Sequence, residues 1–420
     1  MKRQRFYGWT TLIGVMFTYA GMCGDLTYAY GLFLPSMAET YQWSRSLLSG
    51  PYAAFIIVGG LLGPVAGMTI ARFGARLNIM LSNILAAAGL LGMSQADSIW
   101  HVYFFFGLMG GIGIAFGEFI PVTTIINHWF VSKRSLAMGL LFASGGLGGL
   151  IMPPVISWII ITAGWRTAWV FLAGIHLVLS VLMCAVLVKN KPEDMGLTPE
   201  GYSREQAHGG QSGPSHRPVY QTTVDWEIGA ALRTGVLWII MGLFSMVIFV
   251  MNLLTTHQVA YLQDIGFSPM ASSAALGLML GMSIIGRLLC GILGVRYEGR
   301  YLAMFFLTAI GLGVIALMNA VDIVFVYAYS ILTGIGFGGM VVLIPNLLGA
   351  YFGRLHYPKI VGWMAPAVTL LSSFSPILAG VLFDITGTYF FPLAITAVLL
   401  FLCASAAHFA RPPLHTVNVK

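Results

Sequence analysis

The stretch ASSAALGLMLGMSIIGRLLCGILGVRYEGR, from Ala271 to Arg300, contains a long apolar run with one arginine inside it, Arg287. A helix of roughly 20 apolar residues crosses a bilayer core about 30 Å thick, and this run is long enough to do so. A guanidinium at that depth is costly and normally faces a wet cavity or a charged partner. We therefore predict a transmembrane helix in which Arg287 anchors an anion site.

The whole chain has the composition of a multi-pass membrane protein. Of its 420 residues, 58% are hydrophobic and only 8% are charged, whereas soluble domains are about a quarter charged. The predicted fold class is an all-α integral membrane protein with twelve transmembrane helices. The twelve apolar runs are 8–35, 46–70, 77–96, 101–127, 136–163, 166–188, 234–262, 268–294, 301–319, 323–350, 359–385 and 388–410.

The formal net charge of +7 reflects orientation in the membrane. All but three of the 21 lysines and arginines fall on one side of the predicted spans; Arg45 and Arg166 lie on the other side and Arg287 lies within a span. The positive-inside rule then predicts that both termini are cytoplasmic. The expected location is the cell inner membrane. A nucleic-acid partner is not expected, because it would need basic residues clustered on one soluble face.

A polar segment divides the predicted membrane part. Residues 189–233 contain KNKPEDMGLTPEGYSREQAHGGQSGPSHRP, which is too polar to bury a core and is predicted to be a cytoplasmic linker. It separates an N-terminal six-helix half, 1–188, from a C-terminal half, 234–420, with a short cytoplasmic tail. Parallel repeats of this kind place a transport site near the midplane between the halves.

Similar features recur in both halves at an offset of about 223 residues, and four of them support the repeat. They are Gly67, Arg72 and Arg76 with Gly291, Arg296 and Arg300; Gly111 and Gly113 with Gly334 and Gly336; Trp129 and Phe130 with Tyr351 and Phe352; and Gly164 with Gly387.

Seven short motifs carry a family resemblance over nearly the whole chain. They are YGW (7–9), QWSRS (42–46), GMTIARFGAR (67–76), WFVSKRSLAMGLLFASGGLG (129–148), GWRTAW (164–169), KPEDMG (191–196) and LFDITGTY (382–389). Together they resemble the branch of the major facilitator superfamily that contains monocarboxylate transporters and oxalate/formate antiporters. In GMTIARFGAR, Ala71 stands where the superfamily motif usually has an acid. The resemblance implies the major facilitator fold and a substrate-binding role for Arg287, which lies where that branch places an arginine in helix 8. The alternative is a structural arginine near the helix end that extends to the cytoplasmic headgroups.

Two acids fall inside predicted spans, Asp25 in helix 1 and Glu118 in helix 4, and both lie near the midplane. Either can take up a proton when substrate displaces it from Arg287, which makes both candidates for proton coupling. A structural role is the alternative for each. Glu118 can pair with Arg287 or bond to helix backbone, and Asp25 can make a hydrogen bond between helices.

The other candidate substrate-binding residues are polar or aromatic. His257 resembles the branch's histidine near the outer end of helix 7, where it can line a vestibule or simply pack. The serines of helix 11 can donate to substrate oxygens or to other helices. The aromatic residues lie where related transporters line the cavity. Besides Arg287, the candidates are Tyr28, Phe119, Asn252, His257, Phe337 and Ser372.

These observations predict a secondary transporter for a small monocarboxylate of the lactate, pyruvate, formate or acetate type, working by alternating access and coupled to protons. Helix 11 has no lysine after Lys359, unlike the oxalate exchanger, and one fixed cation suits one carboxylate. The expected partners are the carboxylate, a proton and the bilayer, with no cofactor or metal, and a monomer is sufficient. The alternatives are a carboxylate exchanger and a proton-driven exporter of amphipathic compounds; an enzyme is not expected.

Overall fold

The computed structural model describes residues 6–130, 133–200, 220, 222, 226–294, 296–353 and 357–413, and most of them are helical. Among these residues, ten helical runs are long and apolar enough to cross a membrane, and the bent pair Arg45–Leu61 and Gly63–Ile70 raises the number to eleven. Two of the ten runs, Ile99–Trp129 and Trp165–Leu187, each contain more than one of the helices named below. The all-α membrane fold predicted from the sequence is therefore confirmed. In chain order the helices are α1 (Gly8–Gly21), α2 (Tyr30–Tyr41), α3 (Arg45–Leu61), α4 (Gly63–Phe73), α5 (Ala75–Met93), α6 (Ile99–Val102), α7 (Gly111–Gly117), α8 (Phe119–Trp129), α9 (Arg134–Ala163), α10 (Trp165–His176), α11 (Met183–Leu187), α12 (Ile228–Leu232), α13 (Gly235–Asp264), α14 (Pro269–Leu293), α15 (Gly299–Met318), α16 (Ile323–Phe352), α17 (Tyr357–Thr386) and α18 (Phe390–Ala407).

The first membrane segment is interrupted, although the sequence suggests one span over 8–35. After α1 comes a π-helical turn, Met22–Thr27, and α2 then continues to Tyr41. A π-helical turn rotates the side chains that follow it and often marks a functional site. Here the turn contains Asp25. Gly24, also in the turn, lies so close to the backbone of Gly148 that a Cβ would collide with it.

The chain forms two compact units. The first contains Met1–Pro214, Thr255–Gly277 and Pro376–Ile385, and the second contains Ser215–Leu254, Leu278–Ser375 and Thr386–Lys420. The first unit thus combines the N-terminal helices with the end of α13, the start of α14 and part of α17. The division of the chain into 1–188, 189–233 and 234–420 stays a prediction.

Glycines of α7 allow close helix packing in the first unit. A Cβ on Gly111 would collide with Val58 of α3, and a Cβ on Gly113 would collide with Ala86 of α5. Small residues let helix backbones approach closely where no larger side chain fits. The glycines of this segment therefore serve packing.

Glycines of α16 repeat this arrangement within the second unit. A Cβ on Gly334 would collide with Met282 of α14, and a Cβ on Gly336 would collide with Ile310 of α15. These glycines and their partners stand at the offset that relates the two halves of the sequence. The internal repeat therefore extends to the helix contacts.

Aromatic residues at the ends of α8 and α16 show the same correspondence. Trp129 donates a hydrogen bond from its indole N–H to the carbonyl of Lys189 at 2.9 Å, just after α11. Tyr351 donates from its hydroxyl to the carbonyl of Ala410 at 3.0 Å, just after α18. In each unit, an aromatic side chain at the end of one helix thus donates a hydrogen bond to a backbone carbonyl that follows the end of another helix.

Candidate functional site

Asp25 is completely buried in the first unit. Its Oδ1 accepts a hydrogen bond from Nδ1 of His176 at 2.9 Å, and neither side chain is exposed. His176 ends α10, directly before another π-helical segment, Leu177–Leu182. A carboxylate enclosed in this way needs a partner, because its lost hydration is otherwise uncompensated. The contact matches the hydrogen bond between helices that the sequence leaves open for Asp25.

Glu118 lies at a break between α7 and α8. Pro121 has no backbone N–H to donate to the carbonyl of Gly117, so the helical hydrogen-bond ladder is interrupted there. The backbone of Glu118 departs from helical geometry, with φ −93° and ψ −106°. Because of this break, the Glu118 side chain leaves the backbone in a direction different from that of a residue in a continuous helix.

The Glu118 carboxylate is only half-buried and is held loosely. Its Oε1 lies 3.6 Å from Sγ of Cys23 and 3.5 Å from Oγ1 of Thr27, and the thiol and the hydroxyl are both possible donors. The 3.5 Å contact from the hydroxyl is long for a hydrogen bond, and the thiol is a weak donor. Of the two acids within predicted spans, Glu118 is therefore the one that can exchange partners more easily.

Two aromatic candidates of the first unit, Tyr28 and Phe119, each follow a residue of the Glu118 contact group directly in the chain. Phe119 follows Glu118 directly, is 54% exposed, and stacks on Phe142 with 5.7 Å between ring centroids. Tyr28 is half-buried, and its backbone N–H donates to the carbonyl of Cys23 at 2.9 Å. Thr27, which contacts Glu118, directly precedes Tyr28, so the backbones of both aromatic candidates adjoin residues of this contact group.

His257 is buried in the first unit. Its Nε2 lies 2.8 Å from the carbonyl of Pro376 and 3.0 Å from Oγ of Ser49. Ser49 donates its own hydroxyl proton to the carbonyl of Arg45 at 2.7 Å. Because the Pro376 carbonyl can only accept, Nε2 carries the proton and donates it. These contacts fit the packing histidine that the sequence leaves as the alternative to a vestibule residue.

Arg287 belongs to the second unit and is half-buried on α14, which ends at Leu293. The preceding residue, Gly286, packs so closely on α16 that a Cβ would collide with the backbone of Ile335. This close contact restrains the rotation of α14 at the position of the arginine. The packing of α14 on α16 thus restrains the side of α14 from which the Arg287 side chain extends.

Asn252 and Ser372 are brought together in the second unit. Nδ2 of Asn252 donates to the carbonyl of Ser372 at 3.3 Å, which links α13 to α17. The hydroxyl of Ser372 donates to the carbonyl of Thr369 at 3.2 Å, within its own helix. Phe337, on α16, is buried with 6% of its surface exposed. A substrate can reach the Ser372 hydroxyl only if this internal bond is exchanged.

A charged cluster surrounds the N-terminus of α3 in the first unit. Arg45 donates from its guanidinium to Asp264 at 3.1 Å and lies over the ring of Phe383, 5.4 Å from its centroid. Asp384 accepts the backbone N–H groups of Arg45 at 3.0 Å and Ser46 at 3.1 Å. A carboxylate is well placed there, because the first N–H groups of a helix lack partners within the helix. We call these five residues the α3 cluster.

The sequence reasoning missed several of these partners. Asp264 and Asp384 were not expected to act together, although QWSRS and LFDITGTY hold two of the segments involved. His176 was also missed; its signal was a histidine inside an apolar span. Cys23 and Thr27 stand two residues on either side of Asp25, yet they contact Glu118.

Comparison with known proteins identifies the family. A family model described as the Major Facilitator Superfamily matches residues 12–322. Monocarboxylate transporter 13 of Rattus norvegicus is 26% identical over 389 residues, which cover 91% of this chain and 84% of that protein. Monocarboxylate transporter 6 of Homo sapiens is 23% identical over 432 residues, which cover 99% and 81%.

A solved structure has the same fold. It is a bacterial homolog of the human lysosomal transporter Spinster in an inward-facing and occupied conformation, with a TM-score of 0.75, 15% sequence identity and 97% of both chains covered. The multi-pass helical architecture agrees with this likeness, and the protein is a membrane transporter, not an enzyme. The chain belongs to the major facilitator superfamily, and monocarboxylate transporters are among its relatives.

Proposed function

We propose that the protein carries a small monocarboxylate across the membrane by alternating access, coupled to a proton. The observation that carries this proposal is Arg287, a guanidinium on an apolar membrane helix in a chain whose relatives are named monocarboxylate transporters. A guanidinium presents a planar fork of donors that matches a carboxylate in two parallel hydrogen bonds. One such cation balances one carboxylate, which favours a monoanion of the lactate or acetate type.

Glu118 is the better candidate for the proton. It is half-buried, and in the described part of the chain its side chain accepts a contact from a weakly donating thiol and a long one from a hydroxyl, so we expect a proton to exchange there more easily than at Asp25. Asp25 is enclosed and bonded to His176. A protonated Glu118 lets the loaded carrier cross as a nearly neutral assembly, in which Arg287 offsets the substrate charge. An unprotonated empty carrier would carry the extra charge of Glu118.

The α3 cluster supports alternating access. Arg45 falls on the predicted outer side by the positive-inside rule, and it binds Asp264 from the end of α13 within the same unit. Asp384, near the end of α17, bonds to the first N–H groups of α3. These bonds join three helices at one end of the unit, so opening that end requires them to break. Substrate can drive such a change only by binding one state more tightly than the other.

Transport assays in proteoliposomes test the proposal. Labelled lactate should accumulate when the pH gradient drives protons inward, and Arg287→Ala should reduce its initial rate at least about tenfold. Arg287→Lys should retain part of the activity, because it keeps the charge but not the fork of donors. Arg296→Ala is the matched control, since it removes an exposed arginine just after the same helix.

Three results would contradict the proposal in whole or in part. Unchanged lactate uptake by Arg287→Ala would remove the arginine from the substrate site. Oxalate exchange that ignores the pH gradient would instead favour a carboxylate exchanger. Uptake of a monocarboxylate that needs no pH gradient but does need Arg287 would separate the two parts of the proposal, retaining the anion site and excluding proton coupling.

A further inference from the structure

A cavity of about 540 Å³ lies at the end of α4 in the first unit. Its wall includes Arg72 and Gly74 from the motif GMTIARFGAR, Lys191 from the motif KPEDMG, and His128 from α8. We propose that this cavity binds the phosphate headgroup of an anionic phospholipid in the cytoplasmic leaflet. Neither motif takes part in the transport site proposed above, so the two sites can be tested independently.

The cavity wall is cationic. Arg72 and Lys191 contribute two positive charges, and Asp194 contributes one negative charge. Asp194 already accepts the backbone N–H of Lys191 at 3.2 Å. Arg72 lies over the ring of Phe73, 5.2 Å from its centroid. Within the part of the chain that the structure describes, the ion pairs include neither Arg72 nor Lys191. Both side chains can therefore bind an anion.

The wall of the cavity is also preformed, because contacts of Asn190 join the segments that line it. Its Oδ1 accepts the backbone N–H of Arg76 at 2.8 Å, and its carbonyl lies 3.3 Å from Nδ1 of His128. Gly74 has φ +84°, and a Cβ there would collide with the Asn190 side chain. The start of α5, the end of α8 and the segment after α11 are therefore held around the opening before any ligand arrives.

The position favours a lipid over a dissolved anion. Arg72 and Lys191 lie at the ends of apolar helices on the predicted cytoplasmic side, where headgroups are found. Phe73 lines the same cavity and is 54% exposed, which provides apolar surface for the upper part of an acyl chain. Basic pockets between membrane helices on the cytoplasmic side are suited to anionic headgroups, to which each nearby lysine or arginine contributes roughly fivefold in affinity.

Binding of short-chain phosphatidylglycerol to the purified full-length protein in neutral detergent tests this site. Wild type should bind it more tightly than short-chain phosphatidylcholine. Arg72→Gln and Lys191→Gln should each weaken binding about fivefold. Asp194→Asn should strengthen it, because Asn can still accept the Lys191 N–H while the negative charge is lost. The matched control is Arg296→Gln, which should leave the affinity unchanged.

Three results would overturn the proposal. Equal affinity for the two lipids would exclude recognition of the negative charge. Inorganic phosphate that binds as tightly as phosphatidylglycerol would show a site for free phosphate. Unchanged binding in both glutamine variants and in Asp194→Asn would place the lipid elsewhere. The gain expected from Asp194→Asn keeps the test decisive if either cation variant folds poorly.

Discussion

Asp25 and Glu118 are two acids of similar predicted depth in the membrane, yet their surroundings differ. Asp25 is fully buried and accepts a 2.9 Å hydrogen bond from His176. Glu118 is half-buried and has a thiol at 3.6 Å and a hydroxyl at 3.5 Å. The first arrangement resists change, because breaking it leaves an uncompensated group in the interior. The second permits change, which is what a carrier of protons requires.

The largest effect is expected from His176→Ala. Removal of the imidazole leaves Asp25 buried without its hydrogen-bond donor, and loss of one partner of a buried pair costs about 3 kcal/mol of unfolding free energy. Chemical denaturation in detergent measures this change. His101→Ala is the matched control, because His101 pairs with Asp97 at 2.8 Å on the surface, where such a pair contributes about 0.5 kcal/mol. Equal losses of unfolding free energy in the two variants would show that the Asp25–His176 pair stabilises the fold no more than a surface pair does.

The next effect concerns transport. Glu118→Gln should leave the unfolding free energy within about 1 kcal/mol of wild type, because its contacts with the thiol and the hydroxyl are weak. The same change should reduce gradient-driven lactate accumulation at least about tenfold, since an amide cannot carry the proton. Exchange of labelled for unlabelled lactate, which needs no net proton movement, should persist. Glu39→Gln, on the exposed end of α2, is the control, and full accumulation by Glu118→Gln would assign the proton to another group.

A smaller effect is expected at the α3 cluster. Arg45→Ala removes a partly exposed ion pair with Asp264, so the rate of lactate exchange should change only about threefold, equivalent to roughly 0.7 kcal/mol. The double variant Arg45→Asp with Asp264→Arg should recover part of the wild-type rate. Arg166→Ala tests a second arginine on the same predicted side, which bonds to the hydroxyl of Tyr41. Identical rates in all variants would exclude the cluster from the transport cycle.

The smallest effect is expected from Cys23→Ala. It removes the weak thiol donor to Glu118 and keeps the side chain small, so gradient-driven uptake should change about twofold. Thr27→Val with Cys23→Ala should have a larger effect than either alone, because both remove contacts to the same oxygen. Cys403→Ala, on α18, provides the control. If Cys23→Ala changes the free energy of unfolding by more than the free-energy equivalent of its change in uptake rate, the cysteine has a packing role.

Much of the fold was predictable from the sequence. The apolar runs led to the helical membrane architecture, and the motifs led to the superfamily that the comparisons identify. The corner glycines Gly164 and Gly387 both have positive φ, at +84° and +69°, as suits their matching places in the repeat. The interruption of the first span was not predictable, because a π-helical turn leaves the apolar pattern nearly unchanged.

The sequence alone thus determined the fold class, the family and the arginine that lies within an apolar span, because those depend on the length, order and composition of the helices. Only the tertiary structure decided that Asp25 is enclosed with His176 while Glu118 is left half-buried. The depth of a side chain follows from its place along a helix. Its direction depends on helix rotation, on the π-helical turn at Asp25 and on the break before Pro121, which packing against other helices determines.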